Sequence, residues 1–223
     1  MHWGMVIDLR TCIGCGCCAL VCSQANGLPS NLWRRVIDCG ISPAPSRTRL
    51  CLPLSCMQCS EPPCEEACPT GATHRGDDGI VDIRHDRCIG CGYCVVSCPY
   101  LARSIIFGRE DGISRGNGKG DAALPGHLMH NGTCSKCNFC QERVDGGLAK
   151  GLLPGEDPEA TPLCVVSCSS GALTFGDLDD PGSRISALIG EHQAIVLQED
   201  MGTKPSVYYI IDNPVLSINR KNA

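Results

Sequence analysis

Cys88-Ile89-Gly90-Cys91-Gly92-Tyr93-Cys94-Val95-Val96-Ser97-Cys98-Pro99 is the stretch on which the fold turns. Its thiols follow the spacing C-x2-C-x2-C-x3-C, with proline directly behind the last. Three cysteines spaced so tightly wrap three corners of a [4Fe–4S] cube, and the fourth points away to ligate a neighbouring cube. Gly90 and Gly92 fall where the wrapping is tightest. Without a Cβ they can take positive φ and let backbone N–H groups approach the sulfurs. Pro99 fixes φ directly after a ligand and helps turn the chain off the cluster.

Three further runs appear on either side: Cys12-x2-Cys15-x2-Cys18-x3-Cys22, Cys56-x2-Cys59-x4-Cys64-x3-Cys68-Pro69, and Cys137-x2-Cys140 followed after a gap by Cys164-x3-Cys168. Together the runs hold sixteen thiols, four for each of four cubanes. The second and third runs are separated only by residues 69–87, where two short strands fit around a turn at 75–79. These two runs therefore pair, and by elimination the first pairs with the fourth across them. Exchange of the last cysteine predicts four sets: Cys12, Cys15, Cys18 with Cys168; Cys137, Cys140, Cys164 with Cys22; Cys56, Cys59, Cys64 with Cys98; and Cys88, Cys91, Cys94 with Cys68.

Other chemistries fit less well. Structural zinc wants four ligands in separated knuckles, and two C-x2-C-x2-C-x3-C runs exceed that need. A disulfide scaffold seldom reuses the two thiols of one C-x2-C. Cys17, Cys39, Cys51 and Cys134 are left over, as small buried apolar residues or bystander thiols. Cys134 is the ambiguous one, since Cys134, Cys137 and Cys140 are evenly spaced; we expect it to be a bystander beside the cluster of the fourth run. His74, His85, His127 and His130 fall in turns or polar linkers and read as solvated loop residues. Residues 116–121 superficially suggest a phosphate loop, but Gly rather than Ser or Thr follows Lys119. No Ser–His–Asp set, paired carboxylates or dinucleotide fingerprint points to catalysis by the chain itself.

The chain has 223 residues, 20 of them Cys, with only 4% aromatics, 26 Gly and 15 Pro. A large aliphatic–aromatic core is not on offer. A net charge of −5 argues against nucleic acid, which calls for a basic stripe. No apolar run approaches the ~18 residues of a membrane span, and residues 1–8 lack a signal-peptide pattern. The coarse plan is α+β, two ferredoxin-like two-cluster modules with one inserted in the other. Strands fit 6–9, 104–107 and 173–175. A helix fits 18–25, and others should follow the second and third runs. Residues 109–133 read as loop, and the tail as a helix at 183–189 with strands at 193–196 and 207–211. The expected modules are 1–52 with 127–176, and 53–108 between them, followed by a linker at 109–126 and a C-terminal docking extension at 177–223.

Larger motifs support this plan: Met5-Val6-Ile7-Asp8, Cys12-Ile13-Gly14-Cys15, Pro62-Pro63-Cys64, Cys68-Pro69-Thr70-Gly71-Ala72, Lys136-Cys137-x2-Cys140-x2-Arg143, Ala160-Thr161-Pro162-x-Cys164, Phe175-Gly176-Asp177 and Gly202-Thr203-Lys204-Pro205-x-Val207-Tyr208-Tyr209. Across nearly its whole length the chain resembles the four-cluster iron–sulfur subunit of the dimethyl sulfoxide reductase superfamily. The flavour is that of polysulfide, thiosulfate, tetrathionate or arsenate respiratory reductases. The resemblance implies the same crossed sets and a molybdopterin-containing catalytic subunit facing the cluster of Cys12, Cys15, Cys18 and Cys168. The cluster of Cys88, Cys91, Cys94 and Cys68 would then lie towards a membrane anchor or external electron carrier. Cys91 implies a cubane where some relatives hold three irons. Ser169 departs from the proline common after the last ligand. Relatives are often exported on a partner's signal to the periplasmic side of the cytoplasmic membrane, but a cytoplasmic complex would look the same in sequence. A stand-alone polyferredoxin and a subunit of a hydrogenase or aldehyde-oxidising complex are the rival readings; residues 177–223 favour the first.

Overall fold

Trp3, Met5 and Ile7 alternate with Gly4, Val6 and Asp8, the period of a strand. In the computed structural model, which describes residues 1–41, 49–107 and 132–211, this segment is β1 (Trp3–Asp8). It lies in the middle of a three-stranded sheet. β8 (Leu173–Asp177) runs antiparallel on one side, with Met5 opposite Phe175, and β9 (Val207–Ile210) runs parallel on the other, with Met5 opposite Val207. Both faces of β1 are covered. Trp3, Met5 and Ile7 enter the main core with Trp33, Met57, Phe139, Phe175 and Tyr209. Val6 faces Ile185 of α6 (Arg184–His192), whose first turn is capped by the Ser183 hydroxyl accepting from the Ser186 N–H. Gly4 is needed at this crossing, because a Cβ there would come within 2.6 Å of the Leu178 side chain.

The remaining elements are short. α1 (Cys17–Ala25) is followed by a hairpin of β2 (Arg35–Ile41) and β3 (Arg49–Leu54). Then come the one-turn α2 (Pro63–Glu66), the hairpin β4 (Thr73–Arg75) with β5 (Val81–Ile83), and the one-turn α3 (Tyr93–Val96). β6 (Ser104–Ile106) pairs antiparallel with β7 (Thr133–Ser135). α4 (Gln141–Leu148) and the one-turn α5 (Leu163–Val166) lead back to β8. α1 packs on α5 as α2 packs on α3, so one helix-on-helix contact is made twice. The mixture of helix and strand is α+β, as expected.

Several elements differ from the sequence reading. The helices expected after the second and third runs lie inside them. Pro63 occupies the first turn of α2, where its missing N–H costs nothing, while Pro69 and Pro99 bar the helix from continuing past the last cysteine. The β2–β3 hairpin and α4 were not foreseen: Pro53 argues against a strand, and Gly146-Gly147 against a helix. Strand β7 starts at Thr133, inside the expected loop; most of that loop, the linker at 109–126, the 116–121 stretch, His127 and His130 lie outside the described residues. His74 is in β4 rather than a turn, and His85 is half-buried with Nδ1 3.2 Å from the Thr133 hydroxyl. In the tail, residues 193–196 contribute only a bridge between Ile195 and Tyr209. Residues 177–211 fold onto the chain itself, and Tyr209 is fully buried with its hydroxyl donating to the Pro53 carbonyl at 3.0 Å.

Tyr209→Ala should cost about 3–5 kcal/mol, as other large aromatic truncations do, and Tyr209→Phe only about 1 kcal/mol for the lost hydrogen bond. The check is the thermal unfolding midpoint of the anaerobic protein; equal loss in both variants would mean that the hydroxyl, not the ring, fixes the tail.

Candidate metal centres

β3 delivers the second run to the interior. Cys56 and Cys59 follow it directly, α2 turns Cys64 inward, and Cys98 arrives from the far end of α3. These four thiols wall one space together with Tyr100 and Arg103. Cys68, Cys88, Cys91 and Cys94 wall a second space, joined there by Gly90 and Cys134. The last thiol of each run is thus brought to the three leading thiols of the other.

The first and fourth runs meet where α1 packs on α5. Burial pushes the Cys22 thiol well above its ordinary range, and the thiols that add to this are Cys137, Cys164 and Cys140. For Cys12 burial acts first, opposed by the Gly14 N–H, and the neighbouring thiols include Cys168 and Cys15. For Cys18, burial and then the Cys164, Cys168 and Cys12 thiols raise the pKa to about 11 against the nearby Arg34 cation. Cys22 thus has Cys137, Cys164 and Cys140 as neighbours, Cys12 has Cys168 among its own, and Cys18 has thiols of both sets, Cys164 as well as Cys168 and Cys12.

Most of the walls hold their cysteines as protonated thiols, while hydrogen-bond donors reach several of the sulfurs. Burial, the leading cause in each case, drives Cys59 and Cys140 to about 12 and Cys137 to about 11, so these thiols release their protons only to a strong cation. Hydrogen bonds aim at the sulfurs: Thr73 N–H to Cys68 at 3.4 Å, Cys134 N–H to Cys88 at 3.4 Å, and the Asn26 amide to Cys22 at 3.7 Å. At Cys68, burial raises the pKa but the bonds from Thr73 and Thr70 outweigh it and leave the thiol below its ordinary value. The tight loops need their glycines: Gly14, Gly16, Gly90 and Gly92 lie at φ +69°, +73°, +68° and +78°.

Each of these two spaces is walled by four cysteines, the ligand count of a [4Fe–4S] cluster. All 20 cysteines are free thiols. Of the leftover four, Cys17 is half-buried in α1, Cys39 is exposed on β2, and Cys51 is buried so close to Gly14 that a Cβ there would meet its sulfur at 2.3 Å. Cys134 is not beside the fourth run's cysteines. β7 pairs it with Ile105 of β6, which turns its side chain to the space walled by Cys68, Cys88, Cys91 and Cys94. Sequence reasoning also missed the buried cations Arg34, Arg103 and Lys136. Only Lys136, next to Cys137, stood inside a motif.

Comparison with known proteins places this architecture. Residues 48–106 match a 4Fe-4S dicluster domain. Over 94% of its length the protein is 37% identical to the selenate reductase B subunit of Mesobacillus selenatarsenatis, covering 72% of that protein. It is 35% identical to the tetrathionate reductase B subunit of Salmonella typhimurium, over 94% of its own length and 72% of that relative. It is 34% identical to the polysulfide reductase B polypeptide of Wolinella succinogenes over 93% of both.

Gly90 and Gly92 offer a controlled comparison. A Cβ at Gly90 would come within 2.0 Å of the Gly132 carbonyl oxygen, whereas one at Gly92 meets nothing within 4 Å. Gly92→Ala should therefore cost only the ~1–2 kcal/mol of left-handed backbone, and Gly90→Ala considerably more, with a lower anaerobic iron content. Equal behaviour of the two would show that backbone strain, not the Gly132 contact, is what glycine relieves.

Proposed function

The protein belongs to the iron–sulfur electron-transfer subunits of the dimethyl sulfoxide reductase superfamily, and from that premise we propose that it carries four [4Fe–4S] clusters on its sixteen run cysteines for a molybdopterin catalytic partner. It is an electron-transfer rather than a catalytic subunit. The observation that carries the four-cluster reading is the crossing of the runs: Cys98 stands with Cys56, Cys59 and Cys64, and Cys68 with Cys88, Cys91 and Cys94. The remaining sets are Cys12, Cys15, Cys18 with Cys168, and Cys137, Cys140, Cys164 with Cys22. Bound there, each cluster supplies a one-electron carrier within the ~−700 to +450 mV range open to such groups.

The burial of the thiols supports an order along the row of sites. Cys56, Cys59, Cys64 and Cys98 are all buried, as are Cys22, Cys137 and Cys164, so these two sets are interior. Cys15 and Cys91 are exposed, each beside an exposed isoleucine, Ile13 and Ile89. The sets containing them are the two ends. We assign the Cys12, Cys15, Cys18 and Cys168 end to the catalytic subunit, and the other to a membrane subunit or soluble carrier. Among the described residues no helix is long and apolar enough to cross a membrane. The relatives' names point to oxyanions and polysulfide as the partner's substrate class.

Anaerobically purified protein should contain about sixteen iron and as much acid-labile sulfide per chain if all four sets are loaded; about eight would restrict the clusters to one pair of runs. Cys68→Ser should remove the spectroscopic signal of the cluster held by Cys88, Cys91 and Cys94 and spare that of Cys56, Cys59 and Cys64. Loss of the latter instead would mean that each run closes on itself.

A further inference from the structure

The interior of the described residues has a lopsided charge. Three cationic side chains are buried, Arg34 at 1%, Arg103 at 4% and Lys136 at 2% exposure, and no carboxylate is. A buried charge without a counter-ion is strongly unfavourable, so each cation needs an account. Lys136 has one: its ammonium donates to the Val81 and Cys137 carbonyls. The two arginines do not. Arg34 donates through Nη2 to the Ser55 hydroxyl at 3.1 Å and to Met5 sulfur at 3.2 Å, while its Nε and Nη1 have no hydrogen-bond partner. Arg103 donates through Nη1 to the Thr73 hydroxyl at 3.0 Å and to Cys134 sulfur at 3.7 Å, while its Nε and Nη2 have none.

What surrounds these guanidiniums is sulfur. Arg103 lines the space walled by Cys56, Cys59, Cys64 and Cys98. The thiol it touches, Cys134, lines the space walled by Cys68, Cys88, Cys91 and Cys94. One cation thus stands between both sets of its module. Arg34 is the second buried guanidinium with unpartnered nitrogens, and the Cys164, Cys137, Cys18 and Cys22 thiols are near enough to favour its cationic form. Two unrelated stretches of sequence thus bury one arginine each near run cysteines.

We propose that Arg103 is the shared counter-charge of the two clusters of its module, seated against the second by Cys134, and that Arg34 is its counterpart between the other two. The proposal rests on the four-cluster reading above. A thiolate-ligated cluster gains one negative charge with each electron, and a fixed cation in a low-dielectric interior lowers the cost of that charge. Arginine stays protonated throughout, so the effect is constant with pH. Because each arginine is shared, it should raise both potentials of its pair and keep them close. Arg34 and Arg103 are positioning residues for charge, not ligands.

The test is a potentiometric titration of the full chain in its purified complex, reduced by dithionite through mediator dyes and followed by electron paramagnetic resonance with iron counted in parallel. The signals lost in Cys68→Ser and Cys98→Ser identify the two clusters of the Arg103 module. Arg103→Gln should keep its iron and lower the reduced-to-oxidised ratio of both clusters at least tenfold at fixed potential, 59 mV for a one-electron couple, with the other pair unmoved. Arg34→Gln should do the reverse. Cys134→Ala should keep all iron and shift only the cluster of Cys68, Cys88, Cys91 and Cys94. Full iron with unchanged potentials in Arg103→Gln overturns the proposal. If Arg103→Gln loses iron instead, Arg103→Lys decides: iron and potentials retained with lysine show that charge is what the site requires, and loss with lysine too shows a packing role and overturns it. Fewer than about sixteen iron in the parent protein would count against the four-cluster reading itself, a separate outcome from unmoved potentials.

Discussion

One side chain ties the two halves of the molecule together. Gln58 is fully buried at a left-handed backbone position, φ +48°, inside the second cysteine run. Its amide donates to the Cys137 carbonyl at 2.7 Å and accepts from the Val81 N–H at 2.8 Å, while its own carbonyl accepts from the Ser206 hydroxyl at 2.7 Å. The second run, the fourth run, the β4–β5 hairpin and the C-terminal tail therefore meet at a single residue. Lys136 closes the same junction from the other side through the Val81 and Cys137 carbonyls. Buried backbone groups left unpaired cost about 1–3 kcal/mol each, so this junction has little freedom to slide. In the proposed arrangement it would join the two interior thiol sets, where a fixed separation matters most for one-electron transfer.

Away from that junction the fold is held by few large side chains. Phe175 stacks on Trp3 with ring centroids 5.4 Å apart and meets Phe139 edge-on at 5.4 Å, and this aromatic trio anchors the core beneath β1. The module containing α2 and α3 has a smaller cluster built on Val81 and Ile83, in which Cys64, Cys94 and Cys134 serve as the apolar neighbours. Helices of one turn are unstable alone, and α2, α3 and α5 each carry a run cysteine at their centre. Metal that pinned those cysteines would supply the constraint that the sparse core lacks, coupling binding to folding as in other small metal-bound domains.

The cysteine spacing made the sites legible because ligand geometry is local: a C-x2-C-x2-C loop has few ways to fold, and the glycines inside it lie at positive φ as the spacing requires. The strand expected at 6–9 starts three residues earlier and spans Trp3–Asp8, and the tail strand expected at 207–211 forms at Val207–Ile210. Three features were not legible. The β2–β3 hairpin contains Pro53, tolerated because this two-stranded ribbon leaves its N side unpaired where a central strand would need a donor. Cys134 was expected near Cys137 on linear proximity. Strand pairing with Ile105 sends neighbouring residues to opposite faces, so a thiol three positions from one ligand reaches a different set. The buried arginines were invisible because the sequence does not say which of its basic residues lacks water.

Those hidden arginines bear on how such a protein can work at all. Burial and buried charge act in opposite directions on a redox centre that becomes more negative when reduced. Burial is the leading cause that drives Cys22, Cys59 and Cys140 upward as thiols, and in the proposed arrangement it would likewise penalise an electron added to the inner sets. The end sets, with Cys15 and Cys91 at the surface, are spared part of that penalty by water. An uncompensated interior would therefore hold its middle sites at lower potential than its ends, a barrier in the centre of the path. The thiols that favour the charge of Arg34 include Cys164, Cys137, Cys18 and Cys22, and those that favour Arg103 include Cys64, Cys56 and Cys94. In the proposed arrangement each cation would oppose the step in potential that burial alone would impose.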